Sequence, residues 1–166
     1  IQAGATLRTR LWPRSSGLLL YGALGAIATA GSDPYTHTIT PADDLPYLTL
    51  FARMGSEYAK VPDCKVDSLE MSWTERQPLE AEATLIGISP QFGVAAWTPT
   101  NDESGQSKFA PPGGTFKLDA ASGTPAVAKV TAGRISIRNG LVPIPLSASV
   151  LPDDVYPAEQ QIEVSL

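Results

Sequence analysis

The stretch Val66–Ile86, VDSLEMSWTERQPLEAEATLI, decides the fold. From Val66 to Trp73, Leu69, Met71 and Trp73 fall on one side of an extended chain, and Ser68, Glu70 and Ser72 on the other. From Leu79 to Ile86, Leu79, Ala81, Ala83 and Leu85 alternate with Glu80, Glu82 and Thr84. Successive side chains of a strand point to opposite faces, so period two on both sides of the polar turn Thr74–Pro78 predicts two half-buried antiparallel strands. The core face takes the Leu, Met and Trp side chains, with Trp73 expected inside. The other face carries Glu70, Glu80 and Glu82.

Upstream, Leu48–Ala52 (LTLFA) and Tyr35–Thr40 (YTHTIT) are dense in β-branched and aromatic residues and predict two more strands. The segment Pro41–Pro46 reads as a polar turn. Residues 53 to 63 read as a loop punctuated by Gly55, Pro62 and Asp63. The long apolar run Leu18–Ala30 has 13 residues. A bilayer span needs about 20, so a buried helix is expected instead. Pro13, Ser15 and Ser16 supply its start, and the helix is expected over Leu18–Leu24, weakened at Gly22 and Gly25 by about 1 kcal/mol each relative to Ala. Gly31–Pro34 reads as a turn.

Downstream, residues 89 to 133 are rich in Pro, Gly, Ser and Thr and predict long loops with short strands at Thr115–Leu118 and Val127–Thr131. Order returns at Arg134–Arg138 (RISIR), with Ile135 and Ile137 on one face and Arg134, Ser136 and Arg138 on the other. Asn139-Gly140 reads as a tight turn. In the terminal strand Gln161–Leu166, Ile162, Val164 and Leu166 are expected inward and Glu163 outward. Ile1 in place of Met, and a last strand that stops in mid-pattern, predict a chain truncated at both ends.

Composition narrows the chemistry. The chain has 166 residues, the length of one domain, and its net charge of −5 argues against a nucleic-acid binder that neutralises phosphates. With 14 Gly, 15 Pro and only 17% charged residues, it favours turns and sheets. One Cys and one His allow no intrachain disulfide and no His/Cys zinc site. No GxxxxGK[ST], GxGxxG or nucleophile elbow is present. An enzyme, a cofactor and a metal are therefore not expected. His37 is expected as a half-buried hydrogen-bonding residue, and Cys64 as a small buried apolar group.

Four pieces, in this order, resemble the major tail tube protein family of long, non-contractile-tailed bacteriophages. They are Tyr35–Pro41 with Leu45–Thr49, then Cys64–Leu69 (CKVDSL), then Pro78–Gly87 (PLEAEATLIG). The last is Ile135–Leu141 with Leu151–Val155 and a terminal strand. Arg138 stands where the family often has an acidic or amide residue, and Ala158 where Gly is usual. The resemblance implies a mainly β fold, a sandwich or barrel with one short flanking α-helix, as a single domain over residues 1–166. It implies six copies joined side by side in a ring that completes a larger barrel, and rings stacked into a tube. The implied partners are further copies of the chain, the tape-measure protein, and the tail terminator and distal tail proteins. DNA passes through without specific binding, and no membrane is involved. The implied location is the virion tail, assembled in the bacterial cytoplasm.

Glu70, Glu80 and Glu82 then have two readings, a solvated strand face or a lumen lining. A subunit charge of −5 repeated sixfold gives −30 per ring, a wall that would repel a phosphate backbone. Arg134 and Arg138, if they share that wall, should pair with acids across strands. Trp12, Trp97 and Phe109 are interface candidates, since aromatics in loop-like sequence anchor satellite clusters or interfaces. The loop Gln91–Pro125 is the expected ring-to-ring contact. Rival readings are another tail part of the same fold, such as a tail terminator or baseplate hub, and a carbohydrate-binding or adhesin sandwich using Trp97 with Asn101 and Asp102.

Overall fold

The computed structural model describes residues 2–13, 15–32, 35–75, 77–98, 109, 116–118, 126–128, 130–145 and 152–166. The chain begins with strand β1 (Gln2–Arg10), helix α1 (Ser16–Leu24) and the hairpin β2 (Gly25–Ala30) with β3 (Thr36–Pro41). Strands β4 (Leu48–Met54), β5 (Glu57–Thr74), β6 (Glu80–Ile88) and β7 (Gln91–Phe92) follow. Two short strands, β8 (Phe116–Leu118) and β9 (Ala126–Ala128), pair with each other. Then come β10 (Ala132–Arg138), the pair β11 (Val142–Pro145) with β12 (Pro152–Tyr156), and β13 (Gln161–Ser165).

The main sheet has the order β1–β6–β5–β10–β13, and every neighbouring pair is antiparallel. The β5–β6 hairpin is its centre. Leu69 faces Ala83 and Met71 faces Ala81, and all four are buried. Trp73 is half-buried, its ring lying over Gly133 of β10. The fold is mainly β with one short helix, as the sequence implies.

Strand β5, at 18 residues, serves two sheets. Its first part pairs with β4 and β7, and its second part with β6 and β10. The switch of partners falls between Cys64 and Lys65, just after Asp63, a non-glycine residue with φ of 51°. Residues 53 to 63 are therefore not a loop. Gly55 (φ 65°) turns the chain directly from β4 into β5, and Pro62–Asp63 bend a continuous strand. The bend is tight: a Cβ at Gly87 of β6 would lie 2.6 Å from Cys64 Sγ and 2.7 Å from Val61 Cγ1, so the strands close only over glycine. Cys64 is buried there, and burial pushes its thiol pKa up.

The core lies on one face of the main sheet. Val66, Leu69, Met71, Ala81, Ala83, Leu85 and Ile137 pack beneath Ala23, Leu19, Leu20 and Leu24 of α1 and Leu48 and Leu50 of β4. The apolar run Leu18–Ala30 divides in two. Helix α1 occupies the first part, and Gly25, at φ 106°, ends it and starts strand β2. A two-stranded ribbon then continues with most of its residues exposed, His37 included, whose Nδ1 lies 2.9 Å from Thr29 Oγ1. The start of α1 is tied by Ser16, whose hydroxyl accepts the Trp12 N–H at 2.7 Å, while Ser15 makes no side-chain cap.

Asn139 does not serve a hairpin turn, because β10 and β11 do not pair with each other. It is wholly buried. Its Nδ2 donates to Ala23 O at 3.1 Å and Val66 O at 2.8 Å, and its Oδ1 accepts from Gln160 Nε2 at 2.8 Å. Gln160 also donates to Ala23 O, so two side chains satisfy a carbonyl of the last helical turn that has no partner within the helix. One buried amide thus fastens helix, central strand and the approach to β13. Asn139→Ala removes three buried hydrogen bonds, leaves Ala23 O and Gln160 Nε2 only their bond to each other, and strips Val66 O of its side-chain donor, so it should lower unfolding stability by about 2–4 kcal/mol. A loss below about 0.5 kcal/mol, of the kind an ordinary surface substitution gives, in urea unfolding of the unassembled chain would contradict this role.

Candidate assembly surfaces

The registers of the main sheet align its polar side chains in rows. One row runs Arg8, Glu82, Glu70, Ser136, Glu163 from edge to edge. The next runs Arg10, Glu80, Ser72, Arg134, Ser165. A third runs Thr6, Thr84, Ser68, Arg138, Gln161. Glu70, Glu80 and Glu82 therefore share one face, and Arg134 and Arg138 share it with them.

The acids of this face are matched by cations. Arg8 forms a forked pair with Glu82, at 2.9 Å through Nε and 3.3 Å through Nη2. Arg10 Nε lies 3.8 Å from Glu80, and Arg134 pairs with Glu70 across β10 and β5. Four arginines, Arg8, Arg10, Arg134 and Arg138, stand beside four glutamates, Glu70, Glu80, Glu82 and Glu163. The face is charge-balanced, so the chain's net −5 comes from elsewhere. A groove of about 420 Å³ runs along it between Arg8, Arg10, Glu70, Glu80 and Glu82.

The far end of the same face is covered. Ile86 and Ile88 of β6 pack against Leu45, Leu141 and Val155. Beside them Lys65, only 1% exposed, points its ammonium at Tyr47 (4.4 Å to the ring centre) and Tyr156 (5.5 Å). Its Nζ lies 3.3 Å from Asp44 and 3.9 Å from Asp154, and the Tyr47 hydroxyl donates to both Asp154 oxygens at 2.8 Å. Burial alone drives an ammonium toward neutrality. The Asp44 hydrogen bond, the Asp154 charge and the Tyr47 hydroxyl outweigh it and hold the Lys65 pKa above its ordinary value. Burial also opposes ionisation of Asp154, but Tyr47, the Val155 N–H and Lys65 keep its pKa below the usual carboxylate value. The bond to Asp154, then burial, push the Tyr47 phenol up. This cluster clamps the loop before β4, strand β5 and the β11–β12 pair together, and nothing in the sequence marked Lys65 as buried.

The edges of the sheet are bare. Among the described residues, neither β1 nor β13 has a strand on its outer side. Every residue of β13 is exposed, including Ile162 and Val164 at 50% and 51%. These side chains were expected inward. They do point to the core face, opposite Ile137 and Ile135, but the helix and β4 that cover the centre do not extend over them. Glu163 and Arg138 make no ion pair among the described residues.

The interface candidates separate. The Phe109 main chain bridges the ends of β1 and β6, donating to Leu11 O at 3.2 Å and accepting from the Leu79 N–H at 2.9 Å. This places the exposed Phe109 beside the chain of Trp12 at one end of the sheet. Trp97 instead packs on Phe51 of β4, with ring centres 5.4 Å apart. It is half-buried, and its Nε1 is enclosed without a partner among the described residues. That makes it a poor open platform for a sugar. Asn101, Asp102 and nearly all of the loop 99–125 lie outside the described residues.

Among the described residues no group of three His, Cys, Asp or Glu is placed to hold a metal, and no helix is long and apolar enough to cross a membrane. Among the described residues the main sheet therefore has two bare edges and one open, charge-balanced face. The family model for phage tail tube proteins matches residues 1–166, and the chain belongs to that family, as a structural component of the virion tail. No curated protein matches it.

The clamp fixes a pH dependence. Asp154 has a lowered pKa, so its contribution is full above the unfolded value of about 3.9 and is lost as pH falls below it. Lys65 has a raised pKa, so its contribution is full below about 10.4 and is lost as pH rises through the folded value. The clamp's share of unfolding stability should be flat between these limits and fall on both sides. Lys65→Met should remove the Lys65 part of the alkaline limb and shrink the acid limb, which Tyr47 and the Val155 N–H still sustain, and an unchanged profile in this variant, measured by thermal melts across pH, would refute the clamp.

Proposed function

We propose that the chain is the repeating subunit of a phage tail tube. Six copies join their main sheets edge to edge into a closed ring, and rings stack into a hollow filament. The observation that carries this reading is the pair of bare edges flanking one open polar face. An edge strand exposes unpaired N–H and C=O groups, a hazard in a monomer that a ring removes, because each edge is completed by the next copy. Head-to-tail contacts of this kind close by rotation, while stacking propagates.

The polar face with Glu70, Glu80 and Glu82 lines the lumen in this reading. Its chemistry suits transit. Arginines engaged by neighbouring glutamates have little charge left for phosphates, so DNA gains little counterion release from touching the wall. The lumen holds the tape-measure protein before DNA passes, and the ends of the tube meet the tail terminator and distal tail proteins. Trp12 and Phe109, together at one end of the sheet, and the loop Gln91–Pro125 are the proposed contacts between rings. Assembly takes place in the bacterial cytoplasm.

Electron microscopy of the purified chain at high concentration should show long filaments with a central channel, and a chain lacking residues 161–166 should fold but remain short of filaments. A stable monomer at every concentration would overturn the proposal.

A further inference from the structure

We infer that the junction between neighbouring copies is a parallel strand pair, β13 of one copy beside β1 of the next, with Glu163 set against Arg8 and Arg10. This rests on the reading of the chain as a ring-forming subunit. The direction follows from counting. Among the described residues the edge-to-edge path of the main sheet has five strands, each antiparallel to its neighbour, so β1, β5 and β13 point one way and β6 and β10 the other. Sheets can join edge to edge around a ring only if their strands run broadly along its axis. Rotation about that axis preserves the direction of every strand. An odd number of alternating strands therefore brings two strands of the same direction together at each junction.

The side chains fit this arrangement. Parallel pairing is slightly weaker per residue than antiparallel pairing, so the flanking side chains must contribute. On the core face, Ile162 and Val164 of β13 are half-exposed and lie in the rows of Leu7 and Thr9 of β1. Continuing those rows into the next copy puts the uncovered Ile162 beside another copy's Leu7 and Val164 beside its Thr9. On the polar face, Glu163 is the one charged residue of β13 and has no ionic partner among the described residues. The polar face of β1 offers Arg8 and Arg10, and the Arg10 contact to Glu80 is long at 3.8 Å. A guanidinium has five N–H donors, enough to serve a second carboxylate. Strand tilt in a closed barrel shifts the register in steps of two residues, since a shift of one would turn every side chain to the wrong face. Glu163 meets an arginine in the unshifted register (Arg8) and in the one shifted toward Arg10.

The test is a set of nine double variants, each of Gln161→Cys, Glu163→Cys and Ser165→Cys combined with each of Thr6→Cys, Arg8→Cys and Arg10→Cys. Native Cys64 is buried and stays in place. Filaments of each variant are oxidised and resolved on a non-reducing gel. Paired strands bring Cα atoms within disulfide range only at matched positions. A parallel junction gives covalent oligomers along one constant difference in residue number, such as 161 with 6, 163 with 8 and 165 with 10. Oligomers along a constant sum, 161 with 10 and 165 with 6, would overturn the parallel junction and leave the ring reading standing. So would filaments that cross-link in none of the nine variants. Failure of the unsubstituted chain to polymerise under the same conditions would overturn both.

Discussion

Backbone hydrogen bonding is the constraint on which this molecule turns. Every strand carries a row of donors and acceptors on each side, and an unpaired group kept from water costs free energy comparable to a lost hydrogen bond. Among the described residues, the main sheet satisfies these rows internally for β6, β5 and β10 and leaves one row open on β1 and one on β13. Both edge strands carry apolar side chains that the chain itself does not bury, Leu7 on one and Ile162 and Val164 on the other. A protein meant to remain alone blunts such edges with charges, prolines or short strands. Here β1 runs for nine residues without a proline, and the charges on its edge and on β13, Arg8, Arg10 and Glu163, are of opposite sign.

Strand β5 explains how one short chain can present such a sheet with one face open and the other packed. It keeps the β4 pairing as far as Cys64 and enters the main sheet at Lys65, just past the positive-φ residue Asp63, so the segment that supplies Val66, Leu69 and Met71 to the core also supplies Lys65 to the opposite side. The Lys65 clamp then covers one end of the polar face, and only the rows of Glu70, Glu80 and Glu82 stay open. Asn139 secures the arrangement by tying α1 to the residue after β10 and to the chain leading into β13. The exposed edge is thus mounted on the best-buried polar contact of the core.

Much of this was legible in the sequence, for a definite reason. Strands announce themselves by alternation, and Ser68–Ser72 and Glu80–Thr84 alternate cleanly, so both the hairpin and the grouping of the three glutamates could be read directly. Pro62-Asp63 misled, because a bend inside a strand uses the same residues as a loop. Gly25 was read as a weak point in a helix and is its end. Asn139-Gly140 has the composition of a tight turn, but burial of the amide depends on Ala23 and Val66, more than 70 residues away. The arginine partners of the acids required the register of β1 and β10, which alternation alone does not fix. The orientation of Ile162 and Val164 was foreseeable, but not their exposure, since periodicity reports a face and says nothing of what covers it.

The central claim is that the outer rows of β1 and β13 are completed by sister chains. Amide hydrogen exchange, compared between unassembled chain and polymer, measures this directly. The account predicts that peptides covering residues 2–10 and 161–165 exchange rapidly when unassembled and become strongly protected in the polymer, while β5 and β6 change little. Polymer in which both edge strands still exchange at the unassembled rate would contradict it.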